Sequence, residues 1–203
     1  MKLDLLLSTA YWGTIEYYSE IYKSEKIILE RFEHYPKQTF RNRCVIYGAS
    51  GPLSLSIPVT KGNAVKAYTK DIRIDNSSNW QKIHIKAIES AYGCSPFFIY
   101  YIDEIQPFYT RNYEFLYDFN LKCMSIVFSF LDIKRKIEET DKYISILTEH
   151  TKDIRETIHP KNTNSLLQLK PYRQVFEPKL GFHSNLSILD LIFNTGPEAK
   201  TYM

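Results

Sequence analysis

The chain alternates brief apolar runs with longer stretches in which apolar residues recur every three or four positions, a pattern that predicts strands interleaved with helices. Leu3, Leu5, Leu6 and Leu7 form the first run and predict a buried strand over residues 3–7. Thr14 stands where a helix cap belongs, and Ile15, Tyr18 and Tyr22 follow at helical spacing, so a helix is expected to about Lys23. Residues 27–32 read as a second strand. Strand, helix and strand at this spacing predict a parallel crossover, whose carboxyl edge is where ligands bind in such sheets. Residues 8–12 and 30–35 fall on that rim.

Residues 38–47 and 53–59 flank Gly48-Ala49-Ser50-Gly51-Pro52 and predict a hairpin, with Leu53, Leu55, Ile57 and Val59 alternating against polar neighbours in the second arm. Lys61-Gly62-Asn63 reads as a loop before a short alternating strand over 71–75. A helix is marked from Ser77-Ser78-Asn79 to Tyr92, with Gly93 as its stop and Ser78 and Gln81 at capping-box spacing. Trp80, Ile83, His84, Ala87, Ile88 and Ala91 share one of its faces. Ser95-Pro96 has the cap-then-proline order of a second helix ending before Pro107, and a third is expected over 112–130. Residues 141–147 predict a late strand, 153–160 carry no clear pattern, and 161–165 read as a loop. The last helix spans 187–194, ahead of Gly196-Pro197. The expected architecture is one α/β domain over residues 1–203, with a mixed central sheet, a parallel β-α-β start, a β-hairpin, and a helical middle and C-terminal portion.

Composition narrows this only slightly. Hydrophobic residues make up 44% of the 203 positions and charged ones 24%, which is globular rather than disordered. The 16 Tyr and 12 Phe exceed what a core requires and suit clefts or a homo-oligomer interface. A net charge of +3 with scattered cations offers no basic stripe for nucleic acid. The three cysteines, Cys44, Cys94 and Cys123, form no even framework, so a reducing cytoplasm is expected. No apolar run approaches the roughly 18 residues of a membrane span, so no membrane insertion is expected.

The chemistry concentrates in Glu33-His34-Tyr35-Pro36-Lys37-Gln38-Thr39-Phe40-Arg41-Asn42-Arg43. If extended, this segment turns Lys37, Thr39, Arg41 and Arg43 to one face and Gln38, Phe40, Asn42 and Cys44 to the other. Crowded cations need an anion or carboxylates to answer them. The strip reads either as a docking line for the phosphate or carboxylate of a small anionic substrate, or as an edge strand with a solvated face. Asn42 and Gln38 would orient polar groups, and Tyr11, Trp12 or Tyr35 would cover a ring. His84 is either a catalytic base or a hydrogen-bonded core histidine, and Glu33 either a second catalytic group or the counter-charge of the strip. The chain has no HExxH, paired-cysteine, GxGxxG or GxxxxGK[ST] spacing, so the sequence specifies no metal site and no cofactor.

Tyr35-Pro36-Lys37-Gln38-Thr39-Phe40-Arg41-Asn42-Arg43-Cys44, followed by Leu55-Ser56-Ile57-Pro58-Val59, resembles the WbqC-like family. The likeness continues through Asp71-Ile72-Arg73-Ile74, Trp80 to His84, Ala91-Tyr92, Ser95-Pro96-Phe97-Phe98, Leu116 to Asn120, Tyr172-Arg173-Gln174-Val175-Phe176 and Asn185 to Asn194. Members often carry Gln-Pro-x-Tyr-x-Pro after the first strand, where this chain has Ser8-Thr9-Ala10-Tyr11-Trp12-Gly13. The resemblance implies a bacterial protein of surface-polysaccharide, O-antigen-type biosynthesis. It allows an aminoacyl or acyl transferase acting on a nucleotide-linked amino sugar, or a non-catalytic binding or assembly protein of the same pathway.

Overall fold

The computed structural model describes residues 2–60, 66–162 and 169–203. The predicted loop at Lys61-Gly62-Asn63, and positions 163–165 of the predicted 161–165 loop, lie outside the described residues. In chain order the elements are β1 (Asp4–Leu7), α1 (Ile15–Lys23), β2 (Ile27–Leu29), β3 (Arg43–Gly48), β4 (Gly51–Ser56), β5 (Val59–Thr60) and β6 (Arg73–Ile74). There follow α2 (Trp80–Tyr92), α3 (Phe98–Ile105), α4 (Leu116–Phe130), β7 (Ile137–Glu139), β8 (Thr151–Asp153), α5 (Glu177–Leu180) and α6 (Ile188–Thr195). The fold is mixed α/β.

A four-stranded sheet in the order β7-β2-β1-β8 is parallel throughout. Leu5, Leu6 and Leu7 are all buried because a parallel strand is covered on both faces, which is why β1 shows an unbroken apolar run. Thr14 caps α1 as expected, its Oγ1 accepting from the Tyr17 amide at 3.2 Å. β3 and β4 form the predicted antiparallel hairpin, closed at Gly48 and Gly51. In the core, Tyr11, Trp12, Trp80, Phe108 and Phe119 pack in edge-on and tilted pairs with centroids 5.3–5.8 Å apart. Gly196 ends α6 at φ 54° with its Cα against the Phe97 ring, where a Cβ would stand 2.4 Å away.

Several expectations are overturned. The strand predicted over 38–47 begins only at Arg43. Residues 37–42 bend and turn instead, with Gln38 at φ 60°. Long-range bonds win over strand propensity there, because Tyr11 N–H donates to the Phe40 carbonyl and Asn120 Nδ2 to the Arg41 carbonyl. Lys37, Thr39, Arg41 and Arg43 therefore do not share a strand face. No strand forms over 141–147; the Ile144 amide instead donates to the buried Glu30 carboxylate. The sheet takes β7 and β8 at its edges, two three-residue polar strands that apolar patterning does not reveal. At α2 the Ser78–Gln81 capping box does not form, since Gln81 Nε2 reaches Asn76, Asn112 and the Arg111 carbonyl, and Asn79 is the cap residue. Ile83, placed on the apolar face of α2 by spacing, is 61% exposed. Ser95 does not cap α3, which starts at Phe98; its hydroxyl donates to the Tyr92 carbonyl.

Candidate functional site

The turn at 37–42 delivers Arg41 to the carboxyl end of the parallel sheet, between the chain leaving β1 and the chain leaving β8. A small crevice lies there, at the edge where open α/β sheets bind ligands. Ser8, Thr9, Ala10, Ile154 and Arg155 line it, together with Arg41. The guanidinium is 4% exposed and binds Glu33 with two parallel bonds, Nε to Oε1 at 2.7 Å and Nη2 to Oε2 at 2.6 Å. Nη2 also reaches Ser8 Oγ at 2.8 Å, Glu156 Oε1 at 3.2 Å and the Arg155 carbonyl at 3.3 Å. Burial by itself would lower the Arg41 pKa, but the bonds and charge of Glu33, with Glu156, hold it above its ordinary value.

A second guanidinium completes the network. Arg155 binds Asp153 through Nε and Nη2, the latter at 2.6 Å, and reaches the fully buried Glu30 through Nη1 at 3.3 Å. Glu30 in turn accepts from Thr140 Oγ1 and from the amides of Phe32 and Ile144. The bonds and charges of its carboxylates, against the opposing effect of burial, raise the Arg155 pKa.

Over this network lies a cavity of about 700 Å³ lined by Phe32, Glu33, His34, Tyr68, Tyr143, Asp153, Arg155, Glu156 and Thr157. Residues 33–35 pair antiparallel with 67–69, and that ladder sets the His34 and Tyr68 rings face to face, 5.2 Å apart at 9°. Tyr143 receives the Arg155 guanidinium over its ring at 4.9 Å. Beyond Thr157, a cavity of about 540 Å³ is bounded by Glu16, Phe40, Val45, His159, Lys161, His183 and Asn185 among others. Glu16 and Asn185 are locked together there, each bonded to the other at 2.9–3.0 Å. Among the described residues, no group of three or more His, Cys, Asp or Glu side chains is placed to hold a metal ion.

Of the residues singled out in the sequence, Glu33 and Arg41 are brought together, and Glu33 faces the larger cavity. Lys37 and Gln38 are exposed and line neither cavity. Asn42 donates to the Ile57 carbonyl at 2.8 Å, and Ile57 N–H returns a bond to the Asn42 carbonyl. Arg43 Nε bonds Ser56 Oγ across the hairpin at 3.1 Å. Tyr35 is buried, which pushes its phenol up to about 12.

Tyr11, Trp12 and His84 line neither cavity and are joined through Tyr109 in a continuous line of hydrogen bonds, each 2.8 Å long. One assignment uses every proton once: Trp12 Nε1–H donates to Tyr109, Tyr109 to Tyr11, and Tyr11 to His84 Nδ1. Burial lowers the His84 pKa to about 4, only partly offset by the Ser56 backbone, so the ring is neutral at pH 7. His84 lines neither cavity. Sequence reasoning passed over Arg155, Glu156, Glu30, Tyr68 and Tyr143. The available signal was the run Asp153-Ile154-Arg155-Glu156, whose charges flank one isoleucine as at the end of a strand.

The WbqC-like protein family matches the chain over residues 9–180. The chain belongs to this family. Within the matched region Arg41-Asn42-Arg43 and Ile57-Pro58-Val59 are in direct contact through the Asn42–Ile57 pair of this WbqC-like protein. The chain is also 23% identical to "Uncharacterized protein Rv1507c" of Mycobacterium tuberculosis (strain ATCC 25618 / H37Rv), with all of this chain and 98% of that protein aligned. No solved structure matches it. Among the described residues, no helix is long and apolar enough to cross a membrane.

Proposed function

We propose that this WbqC-like protein is a transferase of bacterial surface-polysaccharide biosynthesis that moves an acyl or aminoacyl group onto a nucleotide-linked amino sugar. The observation that carries this reading is the pair of cavities, about 700 and 540 Å³, that share Thr157 as a common wall beside the carboxyl edge of the sheet. A group-transfer enzyme needs two substrate sites that meet, and open α/β sheets bind ligands at this edge. Rings in the larger cavity suit a sugar or base, while Phe40, Val45 and Leu186 in the smaller one suit the body of an acyl group. Within this reading Glu33 is part of the wall of the larger cavity, held in orientation by Arg41. Tyr11, Trp12 and His84 stabilise the core, and Asn42 and Arg43 secure the hairpin.

The test combines binding with turnover. Thermal-shift titration with nucleotide-linked amino sugars is expected to raise the Tm of the wild type. Thr157→Trp, an exposed substitution at the junction, is expected to retain that shift while losing transfer from acyl or aminoacyl donors. Indifference of the wild type to every nucleotide-linked sugar would overturn the reading.

A further inference from the structure

The charge balance of the larger cavity is opposite to the one its sequence suggests. Two guanidiniums, Arg41 and Arg155, stand among four carboxylates, Glu30, Glu33, Asp153 and Glu156, so the network carries a formal excess of two negative charges. Among the described residues the neighbouring cations Arg31 and Lys70 are paired elsewhere, with Glu139 and Asp71. Glu33 and Asp153 are held by bonds to Arg41 and Arg155, whereas the Glu156 side chain is 70% exposed and, among the described residues, pairs only with Arg41, at 3.2 Å. It is the carboxylate free to turn to a ligand. Beside it, Tyr68 is 42% exposed, and its ring is braced from behind by the His34 stack.

We infer that the larger cavity binds its ligand through a protonated amine, with the Glu156 carboxylate as counter-ion and the Tyr68 ring under a hydroxylated ring. This deepens the proposed function and rests on it: the sugar enters with its amine free rather than acylated. A further phosphate or carboxylate in this cavity would meet the surplus negative charge, so any anionic group of the ligand lies outside it. Binding through an exposed carboxylate and an aromatic face needs no rearrangement of the buried pairs.

Calorimetric titration distinguishes the alternatives with nucleotide-linked sugars in three forms: free amine, N-acetylated amine, and hydroxyl in place of the amine. The free-amine form is expected to bind at least tenfold more tightly than the other two at pH 7 and low salt. Glu156→Gln is expected to remove that preference, and Tyr68→Ala to weaken all three forms about equally. Both side chains are exposed, and an unchanged wild-type Tm in each variant verifies the fold. Equal or tighter binding of the N-acetylated form, or a free-amine preference that survives Glu156→Gln, would overturn the inference while leaving the transferase reading intact. Failure of all three to bind would sink both.

Discussion

Arg41 is held in place by what it would leave behind. A buried guanidinium and a buried carboxylate each lose their hydration, and the pair is tolerated because two short bonds join them. Removing one partner strands the other. Arg41→Ala is expected to destabilise the fold by about 3–5 kcal/mol in urea unfolding, through the uncompensated Glu33 carboxylate. Combining Arg41→Met with Glu33→Leu is expected to recover more than half of that loss, since neither charge of the pair is then left buried without its partner. A lost activity in Arg41→Ala alone would therefore report folding before it reported chemistry. The residue types at this site were legible in the sequence, because Glu33 and Arg41 stand out on a short segment. Their geometry was not: a strand reading sets them eight positions apart along one extended segment, whereas a turn with Gln38 at φ 60° makes them a pair.

At the scale of elements, local signals succeed where the local partner is also the tertiary one. Thr14 meets its own helix amide, and α1 begins where expected. Thr14→Ala is expected to lower stability by about 1 kcal/mol, read from the urea midpoint. Ser78 has the same credentials on paper, but Gln81 is drawn away to Asn76 and the 111–112 backbone and side chain. Ser78→Ala is accordingly expected to change stability by less than about 0.5 kcal/mol in the same assay. Strands divide in a similar way. β1 is covered on both faces and announces itself as an apolar run, while β7 and β8 have one strand neighbour each and a half-wet surface. Nothing in Ile137-Glu138-Glu139 or Thr151-Lys152-Asp153 distinguishes a strand from a polar loop until β2 and β1 supply the ladder.

For the whole molecule, two buried groups tilt the response to pH in opposite directions. His84 has a folded pKa of about 4 against 6.5, so the unfolded chain binds the extra proton between these values and the fold loses stability as pH falls. Asp190 is fully buried near the Tyr172 hydroxyl and Gln174, and burial raises it to about 6 from 3.8. The folded chain binds that proton first, so Asp190 gives stability that is present below pH 3.8 and lost as pH rises through 6. Each swing is worth roughly 3 kcal/mol, from a little over two units at about 1.4 kcal/mol per unit. They nearly cancel in the wild type between pH 4 and 6. Asp190→Asn is expected to expose the His84 slope, with stability falling on acidification, and His84→Gln to expose the Asp190 slope of opposite sign. Urea midpoints measured across that range check both.

The sequence by itself determined the class of fold, the first crossover, the hairpin, the main helices and the neighbourhood of the site. Each of these depends on the period of apolar residues or on a side chain meeting its own backbone, and both are written within a few positions. Only the tertiary structure decided which carboxylates answer Arg41, that Tyr11, Trp12 and His84 join a buried hydrogen-bonded line rather than the cavity lining, and that Arg155 and Glu156 come to its rim. Apart from the Glu33–Arg41 pair, whose geometry rests on a turn, those outcomes join residues more than 70 positions apart, and the sign of the local charge depends on which of them arrive.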